Sequence, residues 1–317
     1  MRKRRQFIAI QLVTIIIVIS LFAYSLHYLV LMLRFSIQNN RSISKDYLYH
    51  VAVAGEYADI TVLRQIQHGA ASVSDRYNAV IDNLLPETGA GTTTMQELID
   101  YACAMGVDGI IAYSTNEKIN IASPVTVDGN KIPVITIGSD TPETQAISYI
   151  GINGYDTGKQ MAEALLSFVQ SGKVLAIHDS TTSSTLYSRI ISSVQESLSE
   201  NFYVEDVDVR RRETMSSEDA IRDALRFQID ATAVLCFSET DTVRVAENIV
   251  NLNLPRKIIV IGFGDTPQIR NYLDKGILAA SLSQQAEVMG ASAVQTLLEY
   301  IKTGNTNSYI TIAARIL

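Results

Sequence analysis

The sequence predicts an α/β protein with an N-terminal transmembrane helix and, after it, two similar lobes. Each lobe is expected to be a doubly wound parallel sheet with helices on both faces. Three observations predict this. A charge-free run from Phe7 to Leu33 follows four basic residues, Arg2 to Arg5. From Tyr47 onward, β-branched runs alternate with segments of helical period. The number of such runs is too high for one compact βαβ half.

The apolar run is about 27 residues long, against the ~20 needed to cross a bilayer. It exceeds the ~7–15 residues of a cleavable signal core, and its end, "HYLVLMLRF", has no small-residue cleavage pattern. The basic tip places the N-terminus in the cytoplasm and the remainder outside. Residues 1–34 are therefore expected to be a cytoplasmic tip and signal anchor. Residues 35–47, "FSIQNNRSISKDY", are polar and aperiodic and are expected to form a tether.

The alternation then runs in order. Strand-like "YLYHVAVAG" (47–55) precedes a helical pattern at 60–77 and a strand at 78–85. "TTTMQELIDYACAMG" (92–106) is a helix opening on a Thr cap and ending at Gly, followed by strands at 107–114 and 132–138. A second series begins with a helix at 154–172 and a strand at 173–179. A helix at 183–200 and a strand at 202–209 come next. A helix at 216–228 with a Ser-x-x-Asp cap leads to a strand at 231–238 and a helix at 241–253. Strand 257–263, helix 266–276, strand 278–284 and a long helix at 285–304 complete it. Continuous apolar strands separated by amphipathic helices imply parallel sheets buried on both faces. Ligands of such sheets meet the loops at the C-terminal strand ends, and two lobes can present those ends across one cleft.

Composition excludes several functions. Hydrophobic residues make up 47% and charged residues 19%, enough for a packed core. Net charge is −7, and basic residues cluster only at the N-terminus and in "VRRR" (209–212), which argues against nucleic acid. Cys103 and Cys236 read as buried free thiols. The four histidines lack partners at metal spacing, so no metal and no cofactor is implied. No GxSxG, HExxH or P-loop is present. His178-Asp179, ending a strand, is a weak catalytic signal without a second partner, so no enzyme is expected.

Three stretches carry a family resemblance. "IPVITIGSDTPETQAISYIGINGYDTGKQMAEAL" (132–165) resembles the inter-lobe crossing of type I periplasmic binding proteins. "IIVIGFGDTPQIRNYLDKGILAASLSQQAEVMGASAVQTLLEYI" (258–301) is similar to the closing segment of ribose- and galactose-binding members. "VAVAGEYADITVLRQIQHGA" (51–70) resembles their opening strand and helix. The resemblance covers residues 48–317 and implies a two-lobed type I fold. Lobe 1 would comprise 48–152 plus 285–308, and lobe 2 would comprise 153–284 plus 309–317. The family shares its fold with lactose-repressor-like transcription factors. A membrane anchor stands here in place of a helix-turn-helix, which excludes repressor function.

The resemblance also implies a clamshell closing on a small ligand, often a sugar. The partner would be a membrane histidine kinase in a sensor, or the permease of an ABC importer in a transport system. Several positions match the family's cleft. Gln284 matches its hinge-side Gln, and Ser238 and Glu239 stand where Asn-Asp is common. Tyr187 and Arg189 fall where a ligand-binding Arg is frequent, and Tyr113 ends a strand at a polar cleft position. Glu56 and Asp59 are either contacts to a hydroxyl or amine, or solvated loop charges. Asn153 is either a contact or a partner of the hinge backbone. Two departures stand out. The family's turn Asp is replaced by Gly138, followed by Ser139 and Asp140, and by Gly264, followed by Asp265. Each "Asp-Thr-Pro" turn makes its Asp either a helix N-cap or a ligand contact. The candidate pocket is acidic, with few amides and no Trp.

Overall fold

Successive side chains of a strand point to opposite faces, so a strand apolar at every position needs a core on both sides. The first lobe shows this directly. In the computed structural model, strand β1 (Tyr49–Gly55) sends Val51 and Val53 into one core and Ala52 and Ala54 into another. The structure describes residues 47–317 apart from 57–59, 87–92, 116–120, 127–128, 140–144, 181–183, 211–214, 229 and 255–257. The expected span at 7–33 and the tether, Tyr47 excepted, lie outside the described residues. Among the described residues no helix is long and apolar enough to cross a membrane.

After β1 the chain forms α1 (Ile60–Ser72), α2 (Ser74–Tyr77), β2 (Ala79–Leu84), α3 (Met95–Met105), β3 (Gly109–Ser114), β4 (Val134–Gly138) and β5 (Ser148–Gly151). It crosses to the second lobe through α4 (Gly154–Leu166), β6 (Gly172–His178), α5 (Ser184–Ser197), β7 (Phe202–Asp208) and α6 (Ser217–Phe227). That lobe continues with β8 (Ala231–Cys236), α7 (Glu239–Asn251), β9 (Ile259–Phe263), α8 (Pro267–Asp274) and β10 (Ala280–Ser283). The chain returns through α9 (Ala286–Thr303) and ends in β11 (Tyr309–Thr311) and β12 (Arg315–Ile316).

The two six-stranded sheets share one order, β11-β5-β4-β3-β1-β2 and β12-β10-β9-β8-β6-β7. Every pairing is parallel except β10 with β12. The first sheet is covered by α1 and α9 on one face and α3 on the other. The second has α4 and α5 on one face and α6, α7 and α8 on the other.

Helix pairs cross at glycines. A Cβ on Gly290 of α9 would overlap the Ile66 carbonyl of α1, and one on Gly158 of α4 would overlap the Ile190 carbonyl of α5. Local signals place several helix ends. Thr94 and Glu97 form a reciprocal capping box, and Gly106 ends the same helix at φ 71°. Ser216 caps α6 by accepting from the Asp219 amide.

Four expectations are corrected. The helix expected over 60–77 divides at Val73 into α1 and α2. Strands β5, β11 and β12 carry no period of their own, since each has four residues or fewer. Residues 309–311, assigned to lobe 2, pair with β5 in the first sheet, so the final crossing falls at 312–314. The cap of α8 is Thr266, whose side chain accepts from the Ile269 amide with Pro267 at the first helical position. Asp265 is not the cap.

Candidate functional site

The two lobes meet around a cavity of about 430 Å³ at the C-terminal ends of their strands, within the usual range for small-molecule pockets. From the first lobe come Tyr113 and Thr115, at the end of β3, and Val62 of α1. From the second come His178 to Ser180 after β6, Tyr187 on α5, Phe237 to Asp241 at the β8–α7 turn, Arg244 and Phe263. Gln284 lies where the chain recrosses. The next residue, Gln285, has a left-handed backbone (φ 56°). Its Nε2 donates to the Ala313 carbonyl at 2.7 Å, which ties two of the inter-lobe crossings together.

An aromatic wall forms one side. Tyr187 stacks on His178 at 3.9 Å and meets Phe237 edge-on at 4.9 Å. Asp206, from β7 behind the wall, holds both rings. It accepts from Tyr187 Oη at 2.8 Å and lies 2.8 Å from His178 Nε2. Burial lowers the pKa of His178 despite the nearby charges of Asp206, Asp208 and Asp179, which keeps the ring neutral near pH 7. Burial, aided by the bond to Asp206, raises that of Tyr187, so the phenol stays protonated.

Carboxylates line the other side. Ser238 caps α7 by accepting from the Asp241 amide at 3.0 Å and donates to Asp241 Oδ2 at 2.8 Å. Asp241 is 2% exposed, and burial pushes its pKa up to about 6. The Ser238 hydrogen bond, Arg244 and a hydrogen bond from the Asp179 main chain oppose that rise, while the charge of Asp179 adds to it.

Of the twelve residues singled out from the sequence, Tyr113, Tyr187, Ser238, Glu239 and Gln284 stand together around this cavity. Five others lie elsewhere. Asn153 caps α4, accepting from the amides of Tyr155 and Asp156. Arg189 lines a shallow outer dent with Tyr155, Thr185, Ser188 and Ser192. Glu56 accepts from Ser114 Oγ at 2.9 Å, and Ser139 is buried. Asp265 is turned from the cavity by an ion pair with Arg270 at 2.6 Å and a hydrogen bond from Ser283 Oγ at 2.9 Å. Asp59 and Asp140 lie outside the described residues.

The displaced acids have a backbone cause. Gly138 (φ 94°) and Gly264 (φ 106°), at the positions where Asp was expected, adopt the region that L side chains avoid. A Cβ there would meet the Ser114 carbonyl or the Glu239 side chain. Sequence reasoning missed Asp241, Arg244 and Phe237 as lining residues and weighed His178 and Asp179 only for catalysis. The available signal was their place directly after strands β6 and β8.

A family profile described as a periplasmic binding protein domain matches residues 51–306. A search of curated proteins finds no match. Among solved structures, the chain is similar to a sugar ABC transporter sugar-binding protein from Bacillus halodurans. Identity is 17%, coverage 84% of this chain and 97% of that one, and TM-score 0.71. It is similar to GanP, a glucose-galactose binding protein from Geobacillus stearothermophilus, at 21% identity, 85% and 96% coverage and TM-score 0.66. The XylFII–LytSN complex matches at 21% identity, 84% and 96% coverage and TM-score 0.64. At these identities the likeness speaks for the fold.

Proposed function

The chain belongs to the family of periplasmic binding protein domains, and from that premise we propose that it is a membrane-anchored extracytoplasmic solute-binding protein. It closes on a small polar ligand, a sugar or a sugar-like molecule, and the closed form signals to a membrane partner such as a histidine kinase. The observation that carries this reading is the inter-lobe cavity, whose aromatic wall and polar rim suit a ring with hydroxyl groups. Tyr113 and Thr115 of the first lobe line it together with the second-lobe residues, and Gln284 lines it where the chain recrosses. A ligand that touches both lobes binds the closed form better, and that difference in affinity is the signal available to a partner. The apolar run at 7–33 behind Arg2 to Arg5 supplies the anchor in this reading, and a short tether keeps the lobes near the bilayer.

The sensor reading has a precedent in the XylFII–LytSN complex, where a protein of this fold is bound to a second one. The alternative is the binding subunit of an ABC-type sugar importer, supported by the sugar-binding protein of a sugar ABC transporter with the same fold.

Thermal unfolding of the full chain in detergent, with neutral pentoses and hexoses, tests the cleft. A ligand at ~100 times its Kd adds ~2.7 kcal/mol of stability. The expected result is a saturable rise for at least one sugar, removed by Gln284→Ala. A rise that survives both Gln284→Ala and Tyr113→Ala overturns the assignment to this cavity. Co-purification with a histidine kinase, as against a permease and its ATPase, separates the two roles.

A further inference from the structure

The second lobe places an incompletely satisfied carboxylate in the cavity. Asp241 Oδ2 accepts from Ser238, and the Asp179 main-chain amide also favours the carboxylate, but the buried Oδ1 meets no donor in good hydrogen-bond geometry among the described residues. The Arg244 guanidinium stands 3.7 Å from it, beyond hydrogen-bond reach. A buried carboxylate oxygen left in this state is costly, and a ligand that donates to it recovers that cost. Asp179, at the end of β6, lines the same cavity, and its negative charge works against ionisation of Asp241. Among the described lining residues, three carboxylates (Asp179, Glu239 and Asp241) share the cavity with one permanent cation, Arg244, and a neutral His178.

We propose that the ligand carries a protonated amine as well as hydroxyl groups: an amino sugar or a related aminated polyol, with its ammonium seated against Asp241 and Asp179. This inference rests on the reading of the cleft as a ligand site and names the class of ligand it takes. A neutral hydroxyl can satisfy Oδ1, but it leaves the repulsion between the two carboxylates in place. An ammonium does both, because it donates a charge-assisted hydrogen bond and neutralises the pair. The rings of Tyr113, Phe237 and Tyr187 line the same cavity and give the sugar ring apolar contact.

Calorimetric titration of the full chain at pH 7 with matched compounds tests this. The set is D-glucose, D-glucosamine and N-acetyl-D-glucosamine, with D-galactose and D-galactosamine. The expected result is that at least one free amine binds about tenfold tighter than its neutral parent, the worth of one charge-assisted hydrogen bond. N-acetylation, which removes the charge, abolishes the margin. Asp241→Asn also abolishes it, read as the ratio of the amine's affinity to that of its neutral parent within the same variant. Should Asp241→Asn fail to fold, Asp179→Asn reads the same charge with the Ser238–Asp241 cap intact, and the margin shrinks. Neutral sugars that bind as well as their amines, or a margin that survives both substitutions, overturn this inference and leave the proposed function standing. If neither these compounds nor the neutral sugars of the thermal screen bind, both readings fall.

Discussion

In the first lobe the chain leaves β4 through Gly138 at φ 94°, pressed against Tyr113 and the Ser114 carbonyl. In the second it leaves β9 through Gly264 at φ 106°, pressed against the Glu239 side chain. The sheets share one strand order, and the two turns occupy matching places in it. The same backbone device therefore backs an aromatic ring in one lobe and a carboxylate in the other, and both line the cavity. The helix pairs repeat the pattern, with Gly290 against α1 and Gly158 against α5. The lobes are alike in what holds them up and unlike in what they offer a ligand. Architecture depends on backbone geometry and apolar phase, whereas recognition depends on which side chains follow the strands.

The largest expected effect tests the shared architecture. Gly290→Val and Gly158→Val each drive a side chain into a facing carbonyl, and each is expected to cost about 4 kcal/mol in urea unfolding. A loss confined to one of the two variants breaks the equivalence of the helix pairs.

A somewhat smaller effect tests the chemical difference. Burial pushes the folded pKa of Asp241 up to about 6, from the 3.8 of an ordinary aspartate. Between those values the folded state holds the proton more tightly than the unfolded one, so this group's contribution to stability falls as pH rises from about 4 to about 6. Asp241→Asn keeps an oxygen for the Ser238 hydroxyl and removes the charge. The variant is expected to match the parent near pH 4 and to exceed it by up to about 3 kcal/mol at pH 7 without ligand. A variant no more stable at pH 7 than at pH 4, relative to the parent, means that the carboxylate is not strained.

The smallest effect concerns Asp265. Its partner Arg270 is half exposed, so Asp265→Ala is expected to cost about 0.5 kcal/mol and to leave ligand affinity unchanged. A drop in affinity would return the second-lobe turn to the site.

Much of the architecture was legible because its signals are local. The Thr94–Glu97 box, the Ser216 cap and Gly106 mark helix ends within four residues of chain, and the apolar phase of β1 declares two buried faces. Strands β5, β11 and β12 were not legible, because their pairing partners lie far off in sequence and their few residues show no period. The candidate site divides in the same way. Tyr113, Ser238, Glu239 and Gln284 end or follow strands and could be placed by that rule. Arg189 and Tyr187 sit two residues apart on α5, one in an outer dent and the other in the cavity wall, and only packing against Phe237 and His178 distinguishes them.

Residue order alone was enough for the alternation of strands and helices and the doubling into two lobes. Each of these follows from periodicity and composition, which need no knowledge of distant contacts. Folding in three dimensions selected which acids belong to the cavity. Asp265 is drawn aside by Arg270 and Ser283, while Asp241, which the sequence offers only as the first residue of a helix, is buried in the cleft beside Asp179. The physical reason is that a side chain's direction at a turn depends on the φ of the glycine before it and on partners brought near by the sheet. Both are set by the packed whole.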